Sequence, residues 1–471
     1  MDISSEYVEK LVKQVMGKLS EESPSVASSP EGDNGVFECM DDAANAADKA
    51  WQSYMDCSLN DRRRFIQAIR DFCLKEETLR YMADQAAEES GMGNAEHKYL
   101  KNYQIAKYCP GVEDLTTDAW TGDDGLTVVE YSPYGVIGAI CPTTNPTETI
   151  IGNAIGMLAA GNSVIFSPHP RSQKISLWLI RELNKVLAQA GAPKNLIVTV
   201  AKPSIENTNA MMSHPKVRML VATGGPGIVD SVLRSGKKAI GAGAGNPPVV
   251  VDQTADIAKA AADIVNGASF DNNLPCTAEK EIVAVDAIAD LLMFNLVKNG
   301  AYQITDQAII DKLVDMVVNV DKHAPKTEWV GKHALKILES LGVNAPSDTR
   351  LIVCEVDRNH PFVQCELMMP ILGMVRVSDV DEAIDLACEL EHGNRHTAIM
   401  HSRDVRNLTR MGRKIQTTIF VKNGPSYNGI GIGGEGFPTF TIAGPTGEGL
   451  TSPRSFARRR RCVMVGELNI R

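Results

Sequence analysis

None of the ten cysteines, at 39, 57, 73, 109, 141, 276, 354, 365, 388 and 462, forms a CxxC pair. The usual zinc and dithiol redox motifs are therefore excluded, and no metal ligand set is expected. Scattered thiols in a chain of 471 residues read as reduced cysteines of a reducing compartment. No apolar run reaches the roughly 18 residues of a membrane span. The N-terminus MDISSEYVEKLVKQVMGKLS lacks the basic start and continuous apolar stretch of a secretory signal. Basic charge is also in deficit: 48 Lys and Arg face 58 Asp and Glu, a net charge of −10. That argues against a nucleic-acid-binding face.

What is present is a large soluble-type chain, 44% apolar and 23% charged, long enough for two or three domains. Val8, Leu11, Val12, Val15 and Leu19 form one apolar stripe at helical spacing. The segment 20–35, rich in Ser, Pro, Gly and acid, reads as a linker. A short helix on a tether is either a docking peptide for a partner or folds back on its own body. Beyond Val36 helical segments (Asp41 to Leu79, Leu177 to Ala190) alternate with strand-like ones. The strand-like stretches are 128–142, 162–168, 196–201, 217–225 and 247–252. This alternation predicts parallel β-α-β units and an α/β class, with ligands at the carboxyl ends of the strands.

Three glycine-rich turns punctuate the pattern: VATGGPGIV (221–229), KAIGAGAGNPPVVVD (238–252) and KNGPSYNGIGIGGEGF (422–437). The first follows an apolar strand and is not the GxGxxG arrangement. Its glycines let the backbone approach a ligand, and a following helix offers its N-terminus to phosphate. Three such turns point to a bound cofactor. Cys276, in GASFDNNLPCTAEKE (267–281), follows Asn272, Asn273 and Pro275 on a polar loop, where a nucleophilic thiol is placed more readily than on an apolar stripe. TAEKEIVAV reads equally as helix or strand.

Eight segments in this order are similar to the aldehyde dehydrogenase superfamily, and within it to the CoA-acylating branch of bacterial microcompartments. They are CPTTNPTETI, LAAGNSVIFSPHP, ATGGPGIV, GAGAGNPPVVVD, GASFDNNLPC, ELMMPIL, HTAIMHS and GGEGFPTFTIAGPTGEGLTS. The resemblance covers residues from about 36 onward. It implies an α/β aldehyde dehydrogenase fold, with a dinucleotide- and CoA-binding domain over 36–241 and a catalytic domain over 242–430. Oligomerisation strands are implied at 120–136, and residues 431–471 return to the cofactor cleft before forming an oligomerisation tail. It makes Cys276 the nucleophile that carries an acyl thioester, and either Thr144 or Asn145 the amide or hydroxyl donor to the oxyanion. His396 is implied as an aid to thiol deprotonation, or as a packed histidine. Pro142, Thr143, Ser167, Pro168, His169, Pro170, Thr223, Gly224, Gly225, Ile228, Gly243 and Ala244 match the lining of the cofactor cleft, and Glu366 matches the glutamate that holds the nicotinamide ribose. Ser167 stands where hydrolytic members often carry lysine, which leaves NAD against NADP open.

Where hydrolytic members place a water-activating glutamate, this chain has Ala242. Water, with a pKa near 15.7, is a poor nucleophile without a base, whereas a thiol near 8.5 is partly ionised at neutral pH. The expected reaction is therefore oxidation of a short-chain aldehyde, favouring propionaldehyde, with NAD reduction and transfer to coenzyme A. Acetaldehyde oxidation is the near alternative and a hydrolytic enzyme the remoter one. The resemblance further implies a homo-oligomer, dimer or tetramer, in the cytoplasm inside a microcompartment, with residues 1–19 docking a shell protein.

Overall fold

In a computed structural model, which describes residues 32–470, the alternation folds into two parallel sheets. The docking helix read over 1–19 and most of the 20–35 linker lie outside the described residues. The first sheet has six strands in the order Val36–Phe37, Ile197–Val200, Ser163–Ser167, Val136–Ile140, Val217–Thr223 and Lys238–Ala242. The second has seven: Ala301–Gln303, Leu351–Glu355, Ile371–Val377, Glu281–Val285, Pro248–Val251, Thr397–His401 and Ile419–Lys422. Strands such as Val136–Ile140, Ser163–Ser167 and Pro248–Val251 are buried at every position. That is the pattern of parallel strands covered by helices on both faces, and it explains their continuous apolar runs.

The structure corrects two readings of the sequence. The run 128–142 is not one strand. Gly125–Pro133 belongs to a separate antiparallel sheet, and Val136–Ile140 to the first parallel sheet. The change of sheet falls at Gly135, whose φ of +123° suits glycine alone. The helical stretch 41–79 is likewise three helices, Met40–Tyr54, Leu59–Cys73 and Glu76–Ser90. Ser58 starts the second with a capping box: its hydroxyl accepts from the Asp61 N–H while the Asp61 carboxylate accepts from the Ser58 N–H.

The antiparallel sheet joins Asp118–Gly122 and Gly125–Pro133 to the C-terminal strand Ala457–Val465. Arg459 pairs with Asp118 at 2.5 Å, and Arg461 lies over the Trp120 ring at 5.9 Å. The arginine run is thus partly neutralised within this sheet. Trp120, Val463, Met464 and Val465 remain exposed on it.

Candidate active site

The carboxyl ends of the first sheet's central strands open onto a cavity of about 920 Å³. Val136–Ile140 delivers Pro142, Thr143, Thr144 and Asn145 to its wall. Ser163–Ser167 delivers Ser167, Pro168, His169 and Pro170, and Val217–Thr223 delivers Thr223, Gly224, Gly225 and Ile228. Lys238–Ala242 adds Ala242, Gly243 and Ala244; Cys276, Glu366 and His396 come from the second sheet's side. Every residue singled out in the sequence for chemistry or cofactor contact therefore borders one space. The third glycine-rich turn does not. Residues 423–437 stay off the cavity lining, and Phe440 and Ile442 reach it instead. That turn is a support: Ser426 donates through its N–H and its hydroxyl to the buried Glu279 carboxylate (2.8 and 2.7 Å), and Tyr427 packs on Phe270.

Cys276 owes its place to an unusual loop. Asp271, Asn272 and Asn273 are consecutive left-handed residues, with φ of 49°, 53° and 65°. Asn and Asp tolerate that region better than other side chains, and each visit still costs about 1 kcal/mol or more. Hydrogen bonds offset this. Asn272 Nδ2 donates to the carbonyls of Gly93 and Gly331, and Asn273 Nδ2 to those of Ala268 and Glu279. Asp271 accepts from the Asn94 N–H at 2.6 Å and from two lysine ammoniums. The chain then enters the strand Glu281–Val285, which settles the TAEKEIVAV ambiguity as strand.

The electrostatics around the half-buried thiol oppose ionisation. Burial pushes Cys276 up to about 12; Glu366 adds to the effect and the Lys280 ammonium opposes it. Lys280 is buried and donates to Asn273 O and Oδ1 and to Pro275 O, so it braces the loop as well as supplying charge. Glu366 is raised to about 7 by burial, and its Oε1 has no partner. His396 is buried and held down to about 4, by burial first and Lys280 second. Its Nδ1 bonds the Thr397 hydroxyl at 2.9 Å, and Nε2 is without a partner. Gly245 is what lets these groups meet. A Cβ there would lie 2.8 Å from the Cys276 carbonyl oxygen and 2.9 Å from the His396 ring.

A thiol with this raised pKa has a tiny thiolate fraction at neutral pH that grows tenfold per pH unit until about 12. Iodoacetamide alkylation of Cys276 in the free protein should accordingly rise log-linearly from pH 7 to 10. A plateau below pH 9, followed by mass spectrometry of the modified peptide, would refute this account of the site.

The cleft suits a dinucleotide. At Gly225 and Gly227 a Cβ would meet nothing within 4 Å, so the backbone stands open to a ligand. Gly225 is the N-cap of the helix Pro226–Leu233 and offers no side-chain cap, leaving the N-terminal N–H groups free for phosphate. Ser167 Oγ is 2.8 Å from Thr208 Oγ1, a hydroxyl pair where a lysine was absent from the sequence. Arg171, Lys322 and His323 also border the cavity and escaped the sequence reading. The sequence reading also missed Lys98 and Lys101, which lie behind the cavity wall and whose partner Asp271 is 170 or more residues away. Two lysines three apart on a helix carry no signal of that partner.

The chain belongs to the aldehyde dehydrogenase family, whose model matches residues 31–436. Within it, the chain is 49% identical over 473 residues to the propanal dehydrogenase (CoA-propanoylating) of Citrobacter freundii, spanning the whole of both chains. Among solved structures it resembles the Rhodopseudomonas palustris propionaldehyde dehydrogenase with bound CoA and an acylated cysteine. The TM-score is 0.92 and the identity 67%, covering 93% of this chain and 100% of that one. A propionaldehyde dehydrogenase from the fucose utilisation microcompartment of Clostridium phytofermentans matches with a TM-score of 0.90 and 51% identity, over 93% of this chain and all of that one.

Proposed function

We propose that this protein oxidises propionaldehyde to propionyl-CoA with reduction of NAD, through a thioester on Cys276. The observation that carries the reading is one cavity that holds a thiol and an uncapped helix N-terminus but no carboxylate at Ala242. NAD supplies the hydride acceptor and CoA the thiol that receives the acyl group. Thr143, Ser167, Thr223 and the Gly224–Gly225 turn would hold the dinucleotide, with Glu366 on its ribose and His169 at the adenosine end. Cys276 adds to the aldehyde carbon through its thiolate form, the thiol proton passing to solvent in the cavity. The new oxyanion is met by the Cys276 N–H and by Asn145, in preference to Thr144, because Asn145 Nδ2 is an amide donor on the cavity wall. His396, which borders the cavity with an unpartnered Nε2 and is neutral above about pH 5, is the group that would assist deprotonation of the CoA thiol. Acetaldehyde, one methylene shorter, is expected to react too, since a methylene is worth only about 1–3 kcal/mol.

Residues 1–19 are the docking segment for a shell protein, which places the enzyme in a cytoplasmic microcompartment. The antiparallel sheet with exposed Trp120 and Val463 to Val465 is the face on which copies of the chain assemble into a dimer or tetramer. The test follows NADH formation from propionaldehyde with and without CoA. The expected result is sustained turnover with CoA and a single turnover per site without it. Sustained turnover in the absence of CoA would instead mean hydrolysis and would overturn the reading. A chain lacking residues 1–19 should keep the same turnover yet no longer co-sediment with assembled shells.

A further inference from the structure

Beneath Asn145 lies a buried cluster of four charges. Lys98 and Lys101, from the helix Ala95–Tyr108, face Asp271 and Glu148, and all four are fully buried. Lys101 Nζ is 2.7 Å from Asp271 Oδ2 and 2.9 Å from Glu148 Oε1. It lies 5.6 Å from the centre of the Phe440 ring, which borders the cavity. Its remaining hydrogen bond is to Asn145 Oδ1, at 2.5 Å. Lys98 instead donates to the backbone carbonyl of Thr144 at 3.1 Å and to Asp271.

The two lysines therefore do different work. An ammonium donates only, so the edge of the Asn145 amide that meets Lys101 must be its oxygen. The NH2 edge is then forced to the other side, where Nδ2 donates to Thr144 Oγ1 at 3.1 Å and has a second hydrogen to give. An amide on its own is nearly symmetric in shape and flips readily between its two edges. Turned over, it would present a carbonyl oxygen to a developing negative charge.

We infer that Lys101 is a positioning residue for the oxyanion site, fixing the Asn145 amide so that its N–H edge, not its oxygen, is available to the cavity. This rests on the assignment of Cys276 as the acyl-carrying thiol. The same ammonium also pairs with Asp271, but the loop before Cys276 is held independently by Lys98, Lys280 and the Asn272 and Asn273 amides. Asp271 and Glu148 hold Lys101 protonated despite its burial, which keeps it a pure donor.

The test is a double-mutant cycle on the NADH burst from propionaldehyde and NAD without CoA, measured by stopped flow. Asn145→Ala should slow the burst by about 100- to 1,000-fold, as loss of one oxyanion donor does. Lys101→Met should slow it at least about tenfold with burst amplitude retained, and the combined variant should be no slower than Asn145→Ala alone. Alkylation of Cys276 by iodoacetamide should slow far less than the burst in Lys101→Met, because the Lys101 charge is only a minor influence on the thiol beside burial, Glu366 and Lys280. A wild-type burst rate in Lys101→Met, or singles whose effects multiply in the double variant, would overturn the inference. If Lys101→Met fails to fold, Lys101→Met with Glu148→Gln keeps the cluster neutral and enters the same cycle. Absence of any burst in the wild-type protein would sink the thioester assignment instead, so the two failures are distinguishable.

Discussion

Replacement of Cys276 by alanine should remove CoA-dependent NADH formation entirely, by at least about four orders of magnitude, with the fold intact. The reason is that among the described residues the other cysteine bordering the cavity, Cys141, is buried with its thiol bonded to backbone oxygen and pushed beyond the ordinary range by burial. The variant should also lose the single turnover expected without CoA, since that turnover would be acylation of the thiol. His396→Ala provides the contrast. It should keep the burst and slow only the CoA-dependent steady state, by about 100-fold, the worth of a positioned general base. Stopped-flow NADH absorbance separates the two phases. Residual steady turnover in Cys276→Ala at more than a thousandth of wild type would place the chemistry elsewhere.

The largest effect on stability is expected from Asp271→Asn. Asparagine suits the left-handed φ of 49° as well as aspartate does, so backbone strain is unchanged. What changes is charge. Two buried ammoniums would face one carboxylate, Glu148, and an uncompensated buried charge costs about 3–5 kcal/mol. The urea midpoint should fall accordingly. Adding Lys98→Met, which restores neutrality, should recover a large part of the loss. A single variant as stable as wild type would mean that water reaches this cluster. Because Asp271 also fixes the approach to Cys276, the burst rate should fall in the single variant even where it remains folded.

Much of the site was legible in the chain because its parts are short and local. Glycines after apolar strands mark the strand ends in both sheets, and FDNN carries the residue types that tolerate left-handed backbone, so the loop before Cys276 can be read as special without knowing its shape. Against the hydrolytic members of the family, the resemblance puts Ala242 where a water-activating acid would stand, 34 residues before Cys276, and so implies a thiol acceptor in place of water. Local cues misled where chain continuity hid a change of partner. The run 128–142 is uniformly strand-like, yet it serves two sheets, because pairing partners lie far away in sequence and only Gly135 marks the change. The turn 422–437 looks like a cofactor loop for the same reason that any glycine-rich turn does; its glycines instead permit close packing, as where a Cβ at Gly429 would lie 2.3 Å from the Ile419 side chain.

The sequence by itself determined the α/β class and the four segments that wall the cavity, and through its resemblance to the family it marked Cys276 as the candidate nucleophile, since periodicity, glycine position and motif order are properties of neighbours along the chain. Only the tertiary structure decided the ionisation of the site and the orientation of its amide. The state of Cys276 depends on burial first and then on Glu366 and Lys280, that of His396 on burial and then Lys280, and that of Asn145 on Lys101. Coulomb interactions, desolvation and hydrogen bonding act through space and fall off with distance, so they are fixed by folded proximity rather than by order along the chain.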